Sequence, residues 1–181
     1  MGCLKNLIFR MKKSVAGIIK NGYLYNWYTA DDVRNIANTG WSVITRADFI
    51  TLENYLGGSS VAGKKLKETG TIYWDIPNTT ATNEVGFNAR GSGRRLDTDG
   101  LFLGILLVCD IWTKDEYTLD TSQGRYIQVA TSVADSSASN IVEIKARGFP
   151  IRLIKDTTTL SHVQTGTYTG KFTVNSAINN N

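Results

Sequence analysis

From Ser59 to Gly100 the chain runs through Gly, Thr, Asn and Asp with few apolar runs. A compact domain built from it must hold a long irregular segment between its regular elements. Loops of that length are uncommon and are either functional or disordered. The stretch therefore selects folds with a loop-rich half. Regular structure is expected on both sides of it. GYLYNWYTA (22–30) is aromatic and alternating, which predicts a strand. Asp31 and Asp32 open a short helical turn, DDVRNIA, that Gly40 ends. The clearest helix comes next: Thr45 caps it, Asp48 sits three residues on, and Phe49, Leu52, Tyr55 and Leu56 make one apolar face closed by Gly57-Gly58. VAGKKLKE predicts another short helical turn. Beyond Gly100 come apolar strands, LFLGILLVCDIW (101–112), RYIQVATSV (125–133), IVEIKARG (141–148) and FPIRLIKD (149–156), separated by turn-rich TLDTSQG and ADSSASN.

The net charge of +4 is carried by one end: residues 1–20 hold Lys5, Arg10, Lys12, Lys13 and Lys20 with no acid, so the remainder is close to neutral. That balance gives the body no nucleic-acid footprint. In the arm, Leu4, Ile8, Met11, Val15 and Ile18 follow a 4-3-4-3 spacing, an a/d seam over two heptads. An isolated helix that short is marginal in water and needs a partner. Contact within a homo-oligomer through residues 4–18 is the first reading, docking on the chain's own body the second, and a membrane surface the least favoured. The apolar runs LIF and VAGII are too short for a secretion signal, and no stretch reaches the length of a membrane span. The expected location is a virion or cell surface, the chain staying in the cytoplasm until released. The tail from Thr157 is rich in Thr, Gly and Asn, with GTYTGKFTV (166–174) alternating like a strand. The expected organisation is a basic arm (1–20), a domain (21–156) and an extension (157–181).

Five blocks in order, GYLYNWYTA, NTGWSVITRADFITLENYLGG (38–58), VAGKKLKETGTIYWDIPNTTATNEVGFNARG (61–91), IWTKDEY (111–117) and GFPIRLIKD (148–156), resemble the Fibrobacter succinogenes major paralogous domain. The resemblance implies an α+β class: a C-type-lectin-like fold of the formylglycine-generating-enzyme subtype, with two short helices, a small antiparallel sheet and long ordered loops. It implies a display scaffold for ligand-binding loops rather than an enzyme. Within the family pattern Trp112, Glu116 and Tyr117 match and imply a structural role, the glutamate tying loop amides and the aromatics packing beneath. Three departures stand out. Ile44 replaces the Pro of the turn before the helix, Leu153 stands where the family often has Cys, and residues 92–147 match poorly beyond those three positions.

The chemistry of catalysis is sparse. The one histidine, His162, lies in the tail, and one His with two distant Cys (Cys3 and Cys109) does not make a zinc site. The Cys pair of formylglycine-generating enzymes is missing, so that activity is not carried over. Asp75-Ile76-Pro77-Asn78 has Ile where a calcium-dependent lectin motif needs a carboxylate, and no Trp-Asn-Asp comes after it. No catalytic residue, metal or cofactor is expected. ARGSGRR (89–95) lacks the strand–helix frame of a phosphate loop and reads as a solvated loop. Asp97, Asp99, Asp110, Asp115 and Glu116 could supply a glycosidase pair, though acids near turns are common.

Recognition is thus the expected function, through surface residues of 92–147: Arg94, Arg95, Asp97, Asp110, Trp112, Lys114, Tyr117, Arg125, Tyr126 and Gln128. Aromatic and Arg side chains are frequent binding anchors. Fold relatives, including phage receptor-binding proteins and proteins varied by diversity-generating retroelements, place altered residues in this region. The expected ligand is a cell-surface protein or glycan. A structural phage component, such as a fibre or decoration protein, and a carbohydrate-active enzyme are the alternatives.

Overall fold

A computed structural model of the chain describes residues 8–10, 22–130, 136–137 and 141–156. Its elements are β1 (Ile8–Arg10), β2 (Tyr23–Tyr25), α1 (Trp27–Ala30), β3 (Trp41–Val43), α2 (Arg46–Tyr55), α3 (Ser59–Leu66), β4 (Ser92–Arg95), β5 (Phe102–Ile105), β6 (Val108–Glu116), β7 (Gln123–Ala130), β8 (Ser136–Ser137), β9 (Val142–Ile144) and β10 (Leu153–Lys155). The class is α+β. The main sheet runs β5-β4-β6-β7-β8, with β9 also paired to β7. It is mixed, because β4 meets β6 in parallel while β6 and β7 form a long antiparallel hairpin. β1 pairs with β2, and β10 with β3, in two small antiparallel ladders. No helix among the described residues is long and apolar enough to cross a membrane.

Side chains alternate across β6 and β7, and both faces are covered. On one face Cys109, Ile111, Ile127 and Val129 pack with Phe49 and Leu56 of α2, Ala62 and Leu66 of α3, and Trp74. On the other, Trp112 and Tyr126 pack with Trp27, Ala30, Val43 and Phe149. Trp112 stacks on Phe149 at 4.3 Å between ring centres, and Tyr126 meets Phe149 edge-on at 5.0 Å. Trp27 lies against Gly124 so closely that a Cβ there would stand 2.2 Å from its Cδ1.

The irregular stretch is ordered by specific ties. Trp74 is fully buried and its indole N–H donates to the Ala89 carbonyl at 2.8 Å. The Asn78 amide donates to the carbonyls of Glu68 and Gly70 at 2.9 and 2.8 Å. The backbone N–H groups of Thr82 and Glu84 donate to the carbonyls of Lys64 and Lys65. One anchoring indole and a few backbone bonds thus replace a regular element.

Several sequence expectations are met, and others are corrected. The Thr45 cap is present as a reciprocal box: the Asp48 amide donates to the Thr45 hydroxyl at 3.1 Å and the Thr45 amide to the Asp48 carboxylate at 2.8 Å. Tyr55, expected on the apolar face, is 80% exposed, whereas Glu53 is buried. At about 100° per residue Tyr55 stands about 120° from Phe49 and Glu53 only about 40°. Three helices form rather than two. The block GYLYNWYTA stops being a strand at Tyr25, because Asn26 caps α1 by accepting from the Thr29 amide at 3.3 Å, and also takes the Thr29 hydroxyl at 2.9 Å. DDVRNIA is a non-helical turn in which Asp32 accepts from the Arg34 amide. ARGSGRR ends in strand β4 rather than a solvated loop.

The run LFLGILLVCDIW is two strands broken at Leu106, which has a positive φ of 67°. On and beside the edge strand β5, Leu101, Leu103, Ile105 and Leu107 are 41–57% exposed. In the arm, Ile8–Arg10 is extended and pairs with β2, so the helical seam does not form there and part of the arm docks on the chain's own body. The rest of the 4–18 seam, the 166–174 strand and His162 lie outside the described residues.

Candidate functional site

Strand β6 organises the chemistry, because neighbouring residues on it face opposite ways. On one face the Asp110 carboxylate is fully buried. Arg94 of β4 reaches it at 2.8 Å, and the Gln128 amide, directly across on β7, donates to it at 2.9 Å. Burial pushes the Asp110 carboxyl up from its ordinary range, against the pull of Arg94 and Gln128. Trp112, two residues on, is fully buried, and its indole N–H donates to the Tyr25 carbonyl at 2.9 Å. Tyr126 is buried against Phe149, and its hydroxyl is likewise pushed up by burial.

Asp110, Trp112 and Tyr126, expected as surface contacts, are therefore interior. Gln128 and Arg94 are half-buried partners of Asp110 rather than displayed groups. Arg95 donates to the Leu96 carbonyl and fills the space beside Gly100. Asp97 pairs with Arg147 at 3.2 Å, and Arg147 also grips Glu143.

The surface candidates that remain are at the far end of the β6–β7 hairpin. The register shifts between Trp112 and Glu116, a bulge that bends the strand and re-aims the side chains beyond it. Lys114 is exposed there, and the Arg125 guanidinium lies 5.0 Å over the Tyr117 ring. Leu119 on the connecting turn is 83% exposed. Asp115 accepts from the Arg46 amide at 2.6 Å, and Glu116 accepts from Lys145, which lies 4.1 Å over the Trp27 ring. Glu116 thus ties a lysine rather than the expected loop amides. Asp99 accepts from the Leu101 amide. Each of the five carboxylates weighed for glycoside cleavage is committed to a partner of its own.

The opposite face of β6 holds a feature that sequence reasoning missed. A cavity of about 330 Å³ is lined by Gly22, Phe87, Asn88, Arg90, Ser92, Cys109, Pro150 and Arg152. Arg90 is paired with Glu68 and lies 4.0 Å over the Tyr73 ring. Its pKa is raised, chiefly by the hydrogen bond to Glu68. Arg152 donates from Nη2 to the Asn88 carbonyl at 3.0 Å and lies 5.4 Å over the Phe87 ring. Its Nε is buried without a hydrogen-bond partner among the described residues. Burial pushes the Cys109 thiol up to about 11, with Arg152 pulling the other way. The signal for this site was a charged residue, Arg152, in the apolar block FPIRLIKD.

No curated protein matches the chain, and no solved structure does. One family model does match, that of the Fibrobacter succinogenes major domain, and it spans residues 7–155, most of the chain and nearly all of the described core. The match begins just before β1 and ends on β10, so it takes in the main sheet and both small ladders. The chain belongs to the Fibrobacter succinogenes major domain family.

Proposed function

We propose that the chain is a non-enzymatic display protein that binds a cell-surface protein or glycan through the outer end of the β6–β7 hairpin. The observation that carries this reading is a contrast within residues 92–147. The inward charges, Arg94, Asp110, Asp97 and Arg147, are locked in ion pairs, while Lys114 and Leu119 are exposed at and beyond the register shift and Arg125 lies over the Tyr117 ring. A rigid frame that carries polar and aromatic groups at a loop-like tip suits recognition. The proposal includes a variable protein of a diversity-generating retroelement in a phage or gut bacterium, and assembly through residues 4–18.

The test is binding of the multivalent protein to arrayed glycans and to intact bacterial cells. A variant with Lys114→Ala, Tyr117→Ala and Arg125→Ala is expected to keep its unfolding midpoint and to lose binding by about tenfold or more. No binding by the wild type would overturn the reading in favour of a structural particle component. Sedimentation velocity reads assembly: a Met11→Asp, Val15→Asp variant is expected to be monomeric where the wild type is not.

A further inference from the structure

We propose that the cavity between Arg152, Phe87 and Cys109 binds the carboxylate group of a small organic acid. The site lies across the sheet from Asp110 and stands whether or not the hairpin tip binds a receptor.

Charge is the first argument. Of the two guanidinium groups that line the cavity, Arg90 is neutralised by Glu68. Arg152 forms no ion pair among the described residues. The cavity therefore carries one uncompensated positive charge. Arg152 is half-buried, and its guanidinium is only half provided for. Nη2 is used by the Asn88 carbonyl, while Nε is out of water with nothing to donate to. Charge-assisted bonds to a carboxylate are what a planar guanidinium makes best.

Shape and count narrow the ligand. One excess charge matches a monoanion and leaves a dianionic phosphate or sulfate under-neutralised. A volume of about 330 Å³ is at the small end of ligand pockets. Phe87 and Pro150 add apolar surface to a mainly polar lining, which gives the carbon body of a small organic acid something to pack on. Ser92 and Cys109, both buried, complete its lining. The chain itself offers few substitutes. Residues 1–21 and 157–181 contain no Asp or Glu, and 131–140 contain one, Asp135.

The experiment is calorimetric titration of the full chain at pH 7 with benzoate, D-glucuronate and hippurate, against methyl hippurate and sulfate. These arms separate an aryl acid, a sugar acid and a peptide-like terminus. At least one carboxylate is expected to bind saturably, its neutral ester not at all. Arg152→Met is expected to weaken that binding by about tenfold or more with the fold intact, as loss of a charge-assisted bond requires. Binding by Asp135→Asn but not by the wild type would also support the site and make Asp135 its internal occupant. The proposal is overturned if neither protein binds any of the acids, if ester and acid bind alike, if only sulfate binds, or if Arg152→Met binds as the wild type does.

Discussion

Cys109 and Asp110 are neighbours in sequence, and each has an arginine close to it, yet the two arginines live differently. On the Asp110 side, Arg94 meets a buried carboxylate that also takes a hydrogen bond from Gln128. On the Cys109 side, Arg152 meets a carbonyl and a ring, and keeps an unused donor. One strand thus divides an arginine in a buried ion pair from an arginine with none among the described residues. Removing one partner of a buried pair is strongly destabilising. An arginine without an anion is available to something that arrives from outside.

The comparison can be broken by substitution. Trp112→Ala removes the stacked centre of the Asp110 face and is expected to cost about 4 kcal/mol in urea unfolding. Asp110→Ala leaves Arg94 facing a protein interior and is expected to cost about 3 kcal/mol. A loss under about 1 kcal/mol would mean that Arg94 finds water or another partner and needs its carboxylate no more than Arg152 does.

The Cys109 face is sharpened by pH. Burial raises this thiol from 9.0 to about 11, so the folded chain holds its proton where the unfolded chain has lost it. The contribution is complete below pH 9 and is lost as pH rises towards 11. The wild type is expected to lose roughly 2–3 kcal/mol more than Cys109→Ala over that window. Equal pH slopes would mean that the thiol is not enclosed. The smallest effect is expected at Arg152→Met, which removes an unpaired charge but keeps the packing of the stem. Its unfolding free energy should change by less than about 1 kcal/mol, in contrast to Asp110→Ala.

Local chemistry was readable from the sequence, and long-range burial was not. The Thr45–Asp48 box was visible because it spans only four residues. The strands expected at 101–112 and 125–133 overlap β5, β6 and β7, but the alternation on them could not show that a second layer covers the Asp110 face. That layer comes from Trp27, Val43 and Phe149, well removed in sequence, and it turns Trp112 and Tyr126 from candidate contacts into core. The break at Leu106 was hidden because a leucine at positive φ is a poor turn signal. The cavity was least visible of all, since its lining comes from residues near 22, 87–92, 109 and 150–152, which share no period.

The small ladders bear on how the protein is made. β3, at residues 41–43, pairs with β10, at 153–155, and Tyr25 bridges to Phe149. During synthesis the early strand must wait, unpartnered, while more than a hundred further residues emerge. Contacts that span so much chain close slowly and leave open edges exposed in the meantime. A ribosome stalled before residue 153 would therefore hold a chain whose helices could form but whose ends could not be joined, a natural client for a chaperone.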